Sequence, residues 1–266
     1  MPPLTRSTET EIFAAGIFRG RTALVTGGGT GIGLAIAHEL GRLGASVVIA
    51  ARRREVLEAA ASELRRAGID ATALPLNIRD ERAVEALFDE LASRGFAVEI
   101  LVNNAGGQFT AAALDISANG FRAVVDLNLN GTWHMCHEFA RRAVAGGAGG
   151  RIVNIVLSTD GGAAGYAHAA AARAGVINLS KTLAVEWAPH GILVNCVAPG
   201  AIRTSALAQY DRTTLDATVA ALPVKRMGEA IEVARTVAFL ASPGGDYITG
   251  TTIFVDGGKH LARPAG

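Results

Sequence analysis

A glycine-rich turn at residues 26–33 is the clearest chemical signal in the sequence, which reads TGGGTGIG there. An apolar run typical of a β-strand precedes the turn, and a helical pattern follows it. Gly27, Gly31 and Gly33 let the backbone turn tightly and approach a ligand, while N–H groups at the helix start face its negative charge. The spacing differs from the commoner G-x-G-x-x-G pattern, and a glycine-rich turn alone can simply connect two elements. Its place between a strand and a helix favours a site for the pyrophosphate of a dinucleotide.

Three arginines stand where a dinucleotide-binding protein selects its cofactor, about 20 residues beyond the glycine turn. Proteins that bind NAD carry an acidic residue there for the ribose hydroxyls, whereas a basic residue accommodates the 2′-phosphate of NADP. Here Ala51 is followed by Arg52, Arg53 and Arg54, and a guanidinium can bind phosphate with two parallel hydrogen bonds. The alternative is a solvated basic helix start, which the helix dipole does not favour. We therefore expect NADPH or NADP as the cofactor.

Short runs rich in Val, Ile and Leu alternate along the chain with longer stretches of helical periodicity. This alternation is typical of an α/β fold with a parallel sheet. Strands are predicted at 22–26, 46–51, 70–76, 98–102, 151–157, 192–198 and 251–255. Helices are predicted at 31–43, 54–67, 80–94, 117–145, 166–188 and 229–241. The 266 residues are interpreted as one domain, residues 21–266, preceded by an N-terminal arm at residues 1–20.

Residues 203–227 break this alternation with a mixture of Ser, Thr, Ala, Asp and single aromatic residues, directly after the sixth predicted strand. Open α/β sheets bind ligands outside the carboxyl ends of their strands, so an insertion at this point can cover a site. We expect a substrate lid here. The alternative is a surface loop that only connects two elements.

Composition restricts the partners of the protein. A net charge of +1 provides no broad field that would attract nucleic acid or an acidic membrane, and no apolar stretch approaches the roughly 20 residues that span a bilayer. Two cysteines do not make a disulfide framework in a chain of this size, and neither terminus carries a recognisable targeting signal. We expect a cytoplasmic protein with a small-molecule substrate. No metal is expected, because His134 and Glu138 have no partner cluster of ligands in the sequence.

Four motifs resemble the short-chain dehydrogenase/reductase family in order and spacing: the turn at 26–33, NNAG at 103–106, NLNG at 128–131 and Pro-Gly at 199–200. The resemblance covers residues from about 20 to 258. It implies a single-domain, Rossmann-type doubly wound fold with a seven-stranded parallel sheet flanked by helices, and a homo-oligomer of two or four copies. It assigns cofactor contacts to Gly27, Gly29, Thr30, Gly31, Ile32, Gly33, Asn77, Ile78, Asn104, Ala105, Gly106, Pro199, Gly200, Ile202 and Thr204, in addition to Arg52 and Arg53.

The family's catalytic set is Asn, Ser, Tyr and Lys, and three of the four positions are changed in this chain. Asn128 matches the first, but Val156, Ala169 and Arg173 stand at the Ser, Tyr and Lys positions. The resemblance implies that the missing Tyr would protonate the substrate, while the Lys would hold the nicotinamide ribose and lower the Tyr pKa. Arg173 can still hold ribose hydroxyls, although an always-charged guanidinium does not relay protons.

Tyr166 and Ser158 are the candidates for a replacement proton donor. Tyr166 would share a helix face with Arg173, but about 10 Å further along the axis, where it acts as a general acid or packs as a pocket wall. Ser158 precedes it in a loop with residues 159–160, for which helix capping is the simpler role. His168 would lie on a different face of the helix. The predicted catalytic residues are therefore Asn128, Ser158, Tyr166 and Arg173.

Loss of the usual acid is tolerable when the substrate or an ordered water supplies the proton, because general acid catalysis typically contributes about 3–5 kcal/mol. A ketone hydrogen-bonded to a neighbouring phenol carries its own donor. An enoyl thioester is instead protonated at carbon after an enolate forms. Both substrate classes are compatible with the changed positions.

Two narrower resemblances bear on this choice. The phrases NIR at 77–79, VNNAGGQF at 102–109, HAAAARAGV at 168–176 and NCVAPG at 195–200 are similar to peroxisomal trans-2-enoyl-CoA and dienoyl-CoA reductases. The overall match with a changed catalytic set also resembles atypical ketoreductases of aromatic polyketide antibiotic biosynthesis. We expect an NADPH-dependent ketoreductase for a bulky phenol-bearing carbonyl, since Ala169 would enlarge the pocket. The alternatives are an enoyl thioester reductase and an NADPH-binding regulator without catalysis.

Overall fold

A computed structural model of the chain describes residues 12–158, 162–204 and 212–262. A sheet of seven parallel strands forms the centre of the molecule: β1 (Thr22–Thr26), β2 (Ser46–Ala51), β3 (Ala71–Pro75), β4 (Val98–Asn103), β5 (Gly150–Ile155), β6 (Ile192–Pro199) and β9 (Thr252–Val255). Their order across the sheet is β3-β2-β1-β4-β5-β6-β9. Two short strands, β7 (Ile202–Arg203) and β8 (Gly228–Glu229), pair separately. The predicted doubly wound α/β fold is confirmed.

Helices cover both faces of the sheet. They are α1 (Gly31–Arg42), α2 (Arg54–Arg66), α3 (Glu81–Ser93), α4 (Ala118–Val125), α5 (Gly131–Gly146), α6 (Ala167–Trp187), α7 (Arg212–Ala221) and α8 (Ala230–Ala241). Apolar residues of α1, α2 and α8 form one core cluster with the sheet, and those of α3, α5 and α6 form another. Strand β1 shows the period-2 alternation behind this arrangement, because Ala23 and Val25 join the first cluster while Leu24 joins the second.

The predicted helix at 117–145 contains one irregular turn, at the residues that matter for the site. Helix α4 passes directly into a π-helical turn at Asp126–Asn130, and α5 follows without a break, so the chain stays helical from 118 to 146. Such π turns occur frequently at functional sites because they change the direction of side chains and backbone groups. Periodicity in the sequence does not reveal a single wider turn.

The structure describes parts of two predicted segments, the N-terminal arm and the substrate lid. Phe18, which falls within the predicted N-terminal arm, is fully buried in the core cluster that also contains Leu43. The predicted lid at 203–227 contains helix α7, whereas residues 205–211 lie outside the described part of the chain. No helix in the described ranges is both long and apolar enough to cross a lipid bilayer.

The strand order places a crevice at the carboxyl edge of the sheet. Strand order runs in opposite directions on the two sides of the β1–β4 pair, which makes this pair the topological switch point. The loops after β1 and β4 therefore lead away from each other, and a ligand can lie between them. The glycine turn follows β1, and the NNAG motif begins at Asn103, the last residue of β4.

Candidate functional site

The turn between β1 and α1 has a shape that only glycine allows at two positions. Gly27 and Gly31 have φ values of +65° and +54°, in the left-handed region. A Cβ at Gly33 would clash with the carbonyl oxygen of Gly27 and the amide nitrogen of Asn104. The start of α1 therefore lies against the turn, with its first backbone N–H groups directed at the crevice. This is the geometry that holds a pyrophosphate, and the residues present fit a dinucleotide.

Asn104 and Thr26 brace this turn from the side of β4. The Asn104 side-chain amide donates hydrogen bonds to the carbonyl oxygens of Thr26 and Gly27, at 3.0 and 3.2 Å. The Thr26 hydroxyl oxygen accepts hydrogen bonds from the backbone N–H groups of Asn104 and Ala105, at 3.1 and 3.0 Å. The donors of the Asn104 amide are thus used within the protein, a role that the predicted cofactor contact did not include.

A groove runs from the glycine turn across the ends of β2 and β3. Its walls contain many of the residues predicted for the cofactor: Gly27, Gly29, Thr30, Arg52, Arg53, Asn77, Ile78, Ala105 and Gly106. Apolar side chains complete it, of which the sequence analysis singled out Ala51 alone: Ala50, Ala51, Val56, Leu76 and Leu127. These apolar walls are suited to the flat face of an adenine ring, with polar residues at the rim.

Arg52 and Arg53 stand at the end of this groove, and both side chains are exposed. Arg53 is also the N-cap residue of α2, a position where a cation is electrostatically unfavourable unless an anion lies nearby. Ala51, at the end of β2, carries no acidic group that would select NAD over NADP. The groove therefore ends at two arginines, and none of its lining residues carries a carboxylate.

The predicted contacts after β6 lie on the far side of the glycine turn. Pro199 ends β6, and Gly200 packs so closely against Asp256 that a Cβ would lie 2.6 Å from its Cα. Ile202 is buried, and the Thr204 side chain lies 3.5 Å from the position of a Cβ on Gly31. The structure thus brings Thr204 next to the turn, whereas Gly200 packs against Asp256.

Asn128 and Arg173 meet beneath the NNAG segment. Asn128 lies in the π turn and donates to the carbonyl oxygens of Gly107 and Val124, both at 2.8 Å, so it fixes the chain after Gly106. Arg173 on α6 donates to the carbonyl oxygen of Ile155 at 2.9 Å. A Cβ on Gly106 would clash with the Arg173 guanidinium. Two of the predicted catalytic residues therefore meet at the inner end of the groove.

Arg173 is a buried cation without a carboxylate partner among the described residues. Burial lowers the pKa of its guanidinium to about 10, which leaves the group charged at neutral pH. A buried charge is costly unless it is paired or hydrogen-bonded, so this site favours a ligand with an oxygen acceptor or a negative charge.

The positions of the missing Ser and Tyr are closed in the structure. Val156 and Ala169 are buried, and Ala169 has no exposed surface. Ala169 therefore borders no open space in this structure, which gives the expected enlargement of the pocket no support.

The two proposed replacement donors lie apart from each other. Tyr166 immediately precedes α6, is partly exposed, and its hydroxyl accepts a hydrogen bond from Thr110 at 2.8 Å. Ser158 is buried and donates to a carboxylate oxygen of Asp256 at 2.8 Å. Ser158 therefore uses its only proton inside the protein, and Thr159 and Asp160 lie outside the described residues.

Asp256 is the centre of a polar cluster at the end of β9. Besides Ser158, the backbone N–H groups of Gly258 and His260 donate to its carboxylate, each at 2.9 Å. The His260 ring lies 2.9 Å from the same group and stacks on Phe254. Although burial opposes ionisation, the hydrogen bonds from Ser158 and His260 hold the pKa of Asp256 below its ordinary value.

The segment considered for a metal has other roles. His134 Nδ1 lies 3.0 Å from the carbonyl oxygen of Ile78, and Glu138 forms ion pairs with Arg141 and Arg142. Within the described ranges, no group of three metal-binding side chains is found. Cys136 is buried, and burial raises the pKa of its thiol to about 12.

Comparisons with known proteins agree with this architecture. The family model described as enoyl-(acyl carrier protein) reductase matches residues 27–260. The peroxisomal 2,4-dienoyl-CoA reductase of Arabidopsis thaliana is 38% identical, over 95% of this chain and 88% of the relative. A 3-oxoacyl-(acyl-carrier-protein) reductase of Haemophilus influenzae is 37% identical, over 92% of this chain and 100% of the relative. A variant of actinorhodin polyketide ketoreductase, solved with NADPH, superposes with a TM-score of 0.87 at 32% identity, covering 93% and 99% of the two chains.

The fold and the groove at its switch point define a Rossmann-type oxidoreductase. The chain belongs to the short-chain dehydrogenase/reductase family.

Proposed function

We propose that this protein is an NADPH-dependent reductase. The observation that carries the proposal is the pair of exposed guanidinium groups, Arg52 and Arg53, at the end of a groove lined by the glycine turn. Bidentate phosphate binding by a guanidinium distinguishes a 2′-phosphate from free ribose hydroxyls. The ketoreductase with NADPH and a gluconate 5-dehydrogenase of Burkholderia cenocepacia with NADP support this choice of cofactor.

The substrate that the site supports best is a conjugated, unsaturated acyl thioester. Bound NADPH would supply a hydride. When hydride adds to the carbon–carbon double bond of such a substrate, the displaced electron pair moves onto the thioester oxygen as an enolate. Carbon protonation by water then completes the reduction. The buried, positively charged Arg173 can stabilise the developing negative charge electrostatically from beside Gly106.

This preference reverses the one drawn from the sequence, for two reasons. The ketoreductase expectation depended on an enlarged pocket at Ala169, which is fully buried. Among the relatives, dienoyl-CoA reductases of Arabidopsis thaliana and Bacillus subtilis, at 38% and 33% identity, support the thioester reading.

Ketone reduction is the second candidate. Its supporting observation is the likeness to actinorhodin polyketide ketoreductase over nearly the whole chain. An ortho-hydroxylated aryl ketone would bring its own hydrogen-bond donor, so it would not require the missing Tyr. Cytoplasmic location and a homo-oligomer of two or four copies remain part of the proposal.

The experiment is to follow NADPH oxidation with 2,4-hexadienoyl-CoA and, separately, with 8-hydroxy-1-tetralone. Turnover of the thioester alone supports the first candidate, and turnover of the ketone alone supports the second. Stoichiometric NADPH binding without oxidation across a broad panel of carbonyl and enoyl compounds would indicate an NADPH-binding regulator and contradict a reductase.

A further inference from the structure

The imidazole of His168 is a buried hydrogen-bonding group with no role in the site described above. The residue lies in the first turn of α6, directly before Ala169, and its side chain has no exposed surface. Its Nδ1 atom accepts a hydrogen bond from the backbone N–H of Ala169 at 2.7 Å. Nδ1 is therefore unprotonated, and in the neutral ring the proton resides on Nε2.

The Nε2–H group has no hydrogen-bond partner among the described residues, although it is buried. A buried donor without a partner has lost its hydrogen bonds to water, and folded proteins leave very few such groups. A buried donor of this kind can meet its acceptor when a ligand binds.

The neighbouring loop connects His168 with the cofactor groove. Phe109 packs edge-on against the imidazole, with ring centroids 4.4 Å apart. Gly106 lines the groove, and the three-residue step from Gly106 to Phe109 spans at most about 11 Å. The Thr110 hydroxyl donates to Tyr166, which fastens the same loop to the start of α6.

We infer that the Nε2–H group of His168 donates a hydrogen bond to the carbonyl oxygen of the substrate. This inference rests on the proposed thioester reduction. As hydride adds, negative charge develops on that oxygen, and a preorganised neutral donor in a water-poor site stabilises it without giving up its proton. His168 would then work together with the positive charge of Arg173, and carbon protonation still draws on water. Phe109, which packs edge-on against the imidazole, is itself 44% exposed.

The variants His168→Leu and His168→Gln test the inference. Leu removes the donor, whereas the Gln amide retains an N–H group. His190→Gln, at the exposed imidazole beyond the other end of α6, is the matched control. With 2,4-hexadienoyl-CoA, we expect the Leu variant to lose about 10²–10³-fold in kcat, as for removal of an oxyanion donor. The Gln variant should recover part of that loss, while KM and the Kd for NADPH change little.

A readout that does not depend on turnover separates this inference from the proposed function. Polarisation of the carbonyl should shift the ultraviolet absorbance of 2,4-hexadienoyl-CoA to longer wavelength when it binds with NADP, and His168→Leu should abolish the shift. Wild-type turnover with an unaffected, folded Leu variant would overturn the inference alone. A Leu variant that loses NADPH binding in parallel with kcat would indicate a structural role and also overturn it. Failure of the wild-type protein to bind the thioester would overturn both proposals.

Discussion

The guanidinium of Arg173 occupies the space that a side chain at Gly106 would need, which couples α6 to the NNAG segment after β4. Asn128 completes the contact, since its Oδ1 atom would lie 2.7 Å from a Cβ at position 106. The glycine is therefore required by the neighbouring side chains, and the backbone itself has no unusual conformation there.

Gly106→Ala should destabilise the fold by about 1–3 kcal/mol, as expected for overpacking, and weaken NADPH binding. The shorter Arg173→Lys side chain should relieve part of this clash, so that the double variant is more stable than the two single effects predict. Urea unfolding of the four proteins measures this coupling. Gly146→Ala is the control, because no atom lies within 4 Å of its Cβ position. Strict additivity of the two substitutions would contradict the contact.

Arg52→Ala should raise the Kd for NADPH by about 10- to 100-fold, because charge-assisted hydrogen bonds contribute about 1.5–3 kcal/mol. The Kd for NADH should stay nearly constant, since NADH has no 2′-phosphate. Fluorescence titration with both nucleotides gives the two values. Arg54→Ala is the control, because Arg54 is exposed but does not line the groove. Equal effects of the two substitutions would show that only general charge attraction operates.

Ser158→Ala should reduce the free energy of unfolding at pH 7 by about 1–3 kcal/mol, because it removes a hydrogen bond to the buried Asp256 carboxylate. The pKa of Asp256 is lower in the folded protein than in the unfolded chain, where it is about 4. Its stabilisation is therefore complete above about pH 4 and is lost as the pH falls through the folded-state pKa.

Urea unfolding between neutral and acidic pH tests both effects. The wild-type protein should lose more stability on acidification than Ser158→Ala, since the variant has less to lose. Ser93→Ala, at an exposed hydroxyl, should leave the curve unchanged. Parallel pH curves for wild type and Ser158→Ala would show that the hydrogen bond does not lower the Asp256 pKa.

Both thiols should be inert in the folded protein. Burial raises the pKa of Cys136 to about 12 and also raises the pKa of Cys196, so neither forms appreciable thiolate at pH 8. Ellman's reagent should therefore react only after unfolding in guanidinium chloride. Rapid labelling of native protein would contradict the burial of both thiols.

The sequence predicts the sheet well and the catalytic centre less well, for identifiable reasons. β1 and β2 match their predicted bounds because two-sided burial makes each a continuous apolar run. The π turn around Asn128 was missed because one additional residue in a turn leaves no periodic signal.

The roles of individual polar residues depend on long-range partners that no local pattern reveals. Ser158 bonds to Asp256, which is 98 residues away, and Asn104 bonds to a turn 77 residues earlier. The sequence predicts His168 on a helix face different from that of Arg173. Only the fold shows that its Nε2 atom is buried without a partner among the described residues. Glycine spacing, by contrast, predicts its site directly, since steric requirements at a tight turn are local.

Calorimetric titration of the wild-type protein with NADPH and with NADH tests the central claim most directly. Occupation of the groove by a phosphorylated nicotinamide nucleotide predicts one NADPH per chain, bound at least about tenfold more tightly than NADH. Absence of binding in excess NADPH, or equal affinity for the two nucleotides, would contradict it.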